Sequence, residues 1–152
     1  MISQTRLKEL LTYVLILPAI SLLTGCGPTT ALFSLNSPND TEAIVTFIRP
    51  YLTPTAFAIE IFVDGEKAAK LSNRSSVSFS VPAGDHEIVL DWPKGSLVVG
   101  GIKVKHTYNG ADVKYFLIND KSTIVAETLL NGNRLYLTEL TKEEGQRFVI
   151  LK

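Results

Sequence analysis

From Ala43 to the end of the chain, apolar side chains recur with a period of two rather than 3.6. Turn signals break this pattern at roughly ten-residue intervals, which predicts an all-β fold of short antiparallel strands. Ala43 to Arg49 is apolar on both faces and stops at Pro50, as a central strand does. Ile59, Ile61 and Val63 alternate with Glu60 and Phe62, and Asp64-Gly65 supplies the positive φ values of a tight hairpin. Val77, Phe79 and Val81 alternate with serines, and Pro82-Ala83-Gly84-Asp85 turns the chain into a strand over His86–Trp92. Asn109-Gly110, between Ile102–Tyr108 and Val113–Ile118, predicts a second hairpin, and Asn131-Gly132, between Ile124–Leu130 and Arg134–Leu140, a third. Thr141-x-x-Glu144 with Gly145 behind it predicts one capped helical turn before a closing strand over Phe148–Leu151. The expected architecture is a single antiparallel β-sandwich, immunoglobulin-like or transthyretin-like, over residues 43–152.

The pattern upstream is different. Arg6 and Lys8 precede an almost wholly apolar run from Leu10 to Leu23, interrupted by Thr12, Pro18 and Ser21. A stretch of about fourteen residues suits a signal-peptide core and is shorter than the roughly 20 of a spanning helix. It ends in Leu23-Thr24-Gly25-Cys26, with the chain's one cysteine last. This box resembles that of bacterial lipoproteins. The resemblance implies cleavage after residue 25, a diacylglyceryl thioether on Cys26 and an acyl group, commonly palmitate, on its amine. Two or three chains at roughly 0.8 kcal/mol per buried methylene hold a protein to a bilayer without further help. Cleavage after Thr29-Thr30-Ala31, or an uncleaved anchor, are the alternatives. In enteric-type sorting an Asp after the cysteine retains lipoproteins in the inner membrane, and Gly27 stands there instead. The expected location is thus the outer membrane, facing the periplasm.

Charge and cysteine content narrow the rest. The chain's 15 Lys+Arg and 15 Asp+Glu lose Arg6, Lys8 and Glu9 with the signal, leaving 13 against 14. A near-neutral chain without a polybasic run has no electrostatic footprint for nucleic acid. With Cys26 committed to lipid, no cysteine is left for a disulfide or a thiolate metal site, so packing alone must hold the fold. Residues 26–42, rich in Thr, Ser, Asn and Pro, read as a tether, in which Leu32, Phe33 and Leu35 are expected to dock on the domain or on the bilayer.

Three landmarks carry a second resemblance: Ala-Ile-Val-Thr-Phe-Ile-Arg-Pro at 43–50, Ile-Phe-Val-Asp-Gly at 61–65 and Val-Pro-Ala-Gly-Asp-His at 81–86. Their order, with Glu143-Glu144-Gly145 before the last segment, resembles a bacterial lipoprotein family of uncharacterised function. The second and third landmarks are also similar to PEGA-type surface modules. The resemblance implies fold and location, and no activity. Gly100-Gly101, inside an apolar stretch, departs from the pattern and suggests a bulge or bend.

No residue grouping in the sequence spells a catalytic site. His86 follows a turn, where bonding to the turn backbone is its expected role, and His106 shares parity with Ile102, Val104 and Tyr108, as a half-buried packing residue does. A zinc site normally takes three or four ligands, and no metal or cofactor is expected. Ser72, Ser75, Ser76, Ser78 and Ser80 lack a Gly-x-Ser-x-Gly elbow, and Asp85/Glu87 and Glu143/Glu144 fall at solvated turns. Arg49, ending an apolar strand, is suited to an internal ion pair or to an external anion. Tyr51, Trp92 and Tyr108 fall at strand ends, where aromatics either pack the core edge or form a contact patch. Together with Arg49 they are the candidate partner-binding residues. The expected function is a non-catalytic, lipid-anchored envelope module that contacts an envelope protein or cell-wall polymer. The alternative is a carrier of a small apolar ligand or lipid, with a cavity between its sheets.

Overall fold

The structure, a computed structural model, describes residues 28–52, 57–96, 100–120 and 135–150. Among these residues there are nine strands: β1 (Thr30–Ala31), β2 (Glu42–Arg49), β3 (Ile59–Val63), β4 (Glu66–Leu71), β5 (Ser75–Pro82), β6 (Gly84–Asp91), β7 (Ile102–Tyr108), β8 (Val113–Asp120) and β9 (Leu135–Leu140). They form two packed sheets, ordered β1-β4-β3-β6-β7 and β5-β2-β8-β9. A helix, α1 (Lys142–Ile150), follows β9. The all-β sandwich expected from the period-two pattern is what forms.

The inward positions of both sheets meet in one core. Phe47 of β2 stacks on Phe79 of β5 and on Phe116 of β8, at centroid distances of 5.7 and 5.5 Å. Ile59, Ile61, Leu71, Ile88 and Leu90 of the other sheet are fully buried in the same cluster. Both faces of β2 are covered, as its doubly apolar sequence requires. Val45 and Phe47 face the core, while Thr46 and Ile48 on the opposite parity are also buried.

The Asp64-Gly65 hairpin joins β3 to β4, with φ of 51° and 83° at the two turn residues. The Asn109-Gly110 hairpin does not form. β7 lies in the five-stranded sheet and β8 in the four-stranded one, so this segment crosses between sheets. Positive φ falls on Ala111 (62°) instead. Gly110 is needed for another reason, since a Cβ there would lie 1.8 Å from the Asp40 carbonyl oxygen. β8 then runs parallel to β2, from Ile44↔Val113 to Ile48↔Leu117. A wholly antiparallel sandwich is therefore corrected to one with a parallel central pair. A parallel pair needs a long crossover, and five strands of excursion between β2 and β8 provide it.

The C-terminal segment also departs from expectation. The capping box forms, with Glu144 N–H donating to Thr141 Oγ1 and Thr141 N–H donating to Glu144 Oε2. Gly145, however, lies inside α1 rather than ending it, and the helix continues through Phe148 where a closing strand was expected. A Cβ on Gly145 would sit 2.2 Å from Tyr115 Cγ, so glycine lets the helix backbone lie directly on β8. The expected strand over Ile124–Leu130 and the turn at Asn131-Gly132 lie outside the described residues. Gly100 (φ 100°) and Gly101 precede β7, and a Cβ on Gly101 would meet the Leu90 carbonyl oxygen at 2.3 Å.

The segment read as a tether is built into the domain from Thr29 onward. Thr30 and Ala31 pair with Lys70 and Ala69 of β4, and Ser34 C=O accepts from Ser80 N–H of β5. Phe33 packs edge-on against Phe79 at 5.8 Å, whereas Leu32 and Leu35 stay exposed. Partial burial of Phe33, worth about 1 kcal/mol, adds to the pairing with β4 and β5 in docking this polar stretch.

Candidate functional site

The four candidate contact residues do not share a surface. Arg49 ends β2 on its core-facing parity and is 0% exposed. Its Nη1 donates to the Phe57 and Leu71 carbonyls at 2.7 and 3.2 Å, and its guanidinium lies 5.5 Å from the Trp92 ring centroid. These contacts fasten the end of β2 to β4 and to the chain before β3, which removes Arg49 as a surface receptor for an external anion. Trp92 and Tyr108 are also interior. Only Tyr51 is at the surface, 58% exposed, with the Arg74 guanidinium stacked 4.8 Å from its ring centroid. Cys26 lies outside the described residues.

Tyr108 instead helps to line a cavity of about 210 Å³ where the two sheets part, with Phe47, Val104, His106, Phe116 and Leu137. His106 stands edge-on to both Tyr108 and Phe116, at 4.6 and 5.1 Å. The Tyr108 hydroxyl and His106 Nε2 are buried without a hydrogen-bond partner among the described residues. Glu139 Oε2 is 3.9 Å from His106 Nε2, beyond hydrogen-bonding range, and its other oxygen accepts from Lys114 Nζ at 2.7 Å. Burial, with the negative charge of Glu139 second, pushes the Tyr108 phenol well above its ordinary range, so it stays a neutral donor. The shared parity of His106 and Tyr108 was legible in the sequence. Phe116, Leu137 and Glu139 come from the other sheet, and no local signal joined them to the pair.

His86 does more than its expected bonding to the turn. Its Nε2 meets the Pro82 carbonyl at 2.9 Å, and its Nδ1 meets Asp64 Oδ2 at 2.6 Å. Asp64 Oδ1 also accepts from Glu87 N–H at 2.9 Å. That backbone bond, and then His86, hold the Asp64 carboxyl below its ordinary range. A neutral imidazole carries one N–H and can satisfy one of the two acceptors, whereas the imidazolium satisfies both. The Val-Asp-Gly and Pro-x-Gly-x-His landmarks are thus two halves of one clasp, closing the β3–β4 hairpin onto the start of β6.

The side chains of Ser75, Ser78 and Ser80 bond to polar neighbours. Ser78 Oγ and Thr46 Oγ1 share a hydrogen bond of 2.9 Å, and Ser80 Oγ accepts from Asn36 N–H at 2.8 Å. Among the described residues no group of three or more His, Cys, Asp or Glu side chains is placed to hold a metal ion. No helix among them is long and apolar enough to cross a membrane. A scan against protein-family models finds no match, and a search of curated proteins finds no significant one. What the described residues define is a two-sheet β-sandwich with a small cavity where the sheets part and a clasped hairpin at one end.

Proposed function

We propose that this chain is a non-catalytic module of the bacterial cell envelope, lipid-anchored through Cys26 and exposing its sandwich to an envelope protein or cell-wall polymer. One observation carries the reading. The Leu23-Thr24-Gly25-Cys26 box ends three residues before Thr29, whose hydroxyl is already bonded into the sandwich. A signal peptide ending there would release a domain that begins at its own anchor. Gly27 after the cysteine favours the outer membrane, facing the periplasm. The test is crosslinking in intact cells of wild type and Cys26→Ala, followed by fractionation and mass spectrometry. Wild type in the membrane fraction with a reproducible partner, lost in the variant, supports the reading. Equal solubility of the two forms overturns it.

A second reading, a carrier of a small apolar ligand, is favoured by the inter-sheet cavity and its two buried polar atoms without partners. It predicts a bound small molecule in native mass spectra of the purified chain, lost when Val104→Phe fills the cavity. Spectra showing bare protein in both forms reject it.

A further inference from the structure

The two long-axis ends of the sandwich differ in ways that bear on how it would sit on a membrane. One end holds the close of β2, β4 and β6, the start of β5 and β7, and the point where the chain leaves Thr29. There a short network runs inward from the N-terminal segment. Thr29 Oγ1 donates to Ser75 Oγ at 2.6 Å and accepts from Ser72 N–H at 3.0 Å. The loop thus held carries Asn73, whose Oδ1 accepts from Leu52 N–H at 2.9 Å, and Arg74, which stacks on Tyr51 at 4.8 Å. Both Tyr51 and Arg74 are exposed, and Arg74 takes a left-handed φ of 52°. At the opposite end exposed Asp40, Asp64, Glu66 and Asp85, with Glu143 and Glu144 after β9, outnumber Lys142. At the Thr29 end the exposed charges among the described residues are Arg74 and Lys94 against Asp91.

We infer that Tyr51 and Arg74 form a foot that rests in the phospholipid headgroup layer of the bilayer carrying the anchor. This rests on lipidation of Cys26. Three chain links separate Cys26 from Thr29, and three residues span at most about 11 Å. The headgroup layer is itself roughly 5–7 Å deep on each side of the hydrocarbon. An anchored chain therefore keeps the Thr29 end within about 11 Å of the anchor, and contacts made by Tyr51 and Arg74 decide whether that end settles into the headgroups. Tyrosine favours that depth, with its ring toward the apolar boundary and its hydroxyl toward water. Arginine presents a planar fork to phosphate oxygens. The charge difference acts in the same sense, because an anionic surface repels the carboxylate end and attracts the arginine end. The domain stands upright, strands along the membrane normal, with the Asp64–His86 clasp farthest from the lipid.

The test uses the full lipidated chain in bicelles of zwitterionic and anionic phospholipid, doped with a phospholipid bearing a nitroxide on its headgroup. Intact mass first establishes the lipid on Cys26. The amide signals of Tyr51 and Ser72–Ser75 are expected to lose more than half their intensity, while those of Gly65 and Gly84 keep nearly all of theirs. Tyr51→Ala/Arg74→Ala should at least halve the loss at Ser72 and Ser75, and Arg74→Lys should preserve it. A lipidated chain with equal attenuation at both ends, or with attenuation unchanged in the double variant, overturns the foot and leaves the anchor standing. A chain without lipid on Cys26 overturns both.

Discussion

Replacing Gly110 by alanine separates two accounts of the Asn109-Gly110 pair. In a hairpin turn the glycine would serve a positive φ, and asparagine would be tolerated in its place. In the structure positive φ falls one residue later, and an alanine Cβ would lie 1.8 Å from Asp40 O, 2.3 Å from its carbonyl carbon and 2.9 Å from its Cα. All three atoms are backbone, so the two segments must part by about 1.6 Å to restore ordinary contact. The bonds that hold them are Ala111 N–H to Asn39 O at 2.7 Å and to Glu42 O at 3.0 Å, and Ile44 N–H to Asp112 O at 2.8 Å. Stretching two or three such bonds past their range loses about 2–3 kcal/mol at roughly 1 kcal/mol each. The smaller entropy of the unfolded alanine chain returns about 0.5 kcal/mol. The net loss is about 2 kcal/mol, or roughly 5–10 °C in melting temperature for a domain of this size. Urea unfolding followed by circular dichroism measures it directly. Gly110→Asn should be at least as damaging as Gly110→Ala, and Gly65→Ala, with φ 83° but no atom within 4 Å, should lose only about 1 kcal/mol. A Gly110→Ala protein as stable as wild type, or a benign Gly110→Asn, would refute the close-approach account.

Gly145→Ala should destabilise the chain by about 1–2 kcal/mol although alanine is the better helix former, because its Cβ would fall 2.2 Å from Tyr115 Cγ. In a double-mutant cycle with Tyr115→Ala most of that penalty should vanish, and additive effects would mean that the helix does not rest on this ring. Arg49→Met should lose roughly 2–4 kcal/mol in chemical denaturation, since the Phe57 and Leu71 carbonyls are left without their guanidinium donor; a neutral result would remove Arg49 from the framework. Asp64 has a carboxyl held below its unfolded value of about 3.9, so its contribution is complete above that pH and fades as acid takes the pH down through the folded value. Asp64→Asn should therefore flatten the acid limb of the stability–pH curve between about pH 4 and 2, and an unchanged limb would exclude the clasp as a source of acid sensitivity.

Strand existence and the core were legible because alternation in β3, β5 and β7 reports a half-buried surface wherever the strand pairs. Sheet membership was not. Asn109-Gly110 carries the composition of a hairpin, yet its glycine answers to Asp40, some seventy residues earlier, and nothing local encodes that contact. Gly145 misled for the same reason, since a helix stop and a helix–sheet contact both call for a missing side chain. Arg49 and Trp92 were placed at strand ends correctly, but burial at a strand end depends on which loop folds over it. The cavity was half legible. His106 and Tyr108 share a strand face, while Glu139 joins them only through the pairing of β9 with β8.

The N-terminal segment has a mechanical meaning as well. Thr30 and Ala31 bond to β4 of one sheet, and Ser34 and Asn36 bond to Ser80 of the other, so this strap is stitched to both. It leaves the sandwich along the strand direction at the Thr29 end. Tension transmitted through a chain anchored there would load the strap's hydrogen bonds together, in shear, rather than peel them one at a time. Were the chain anchored at that end, the stitched strap would act as a strain relief, keeping the load from the core against which Phe33 packs.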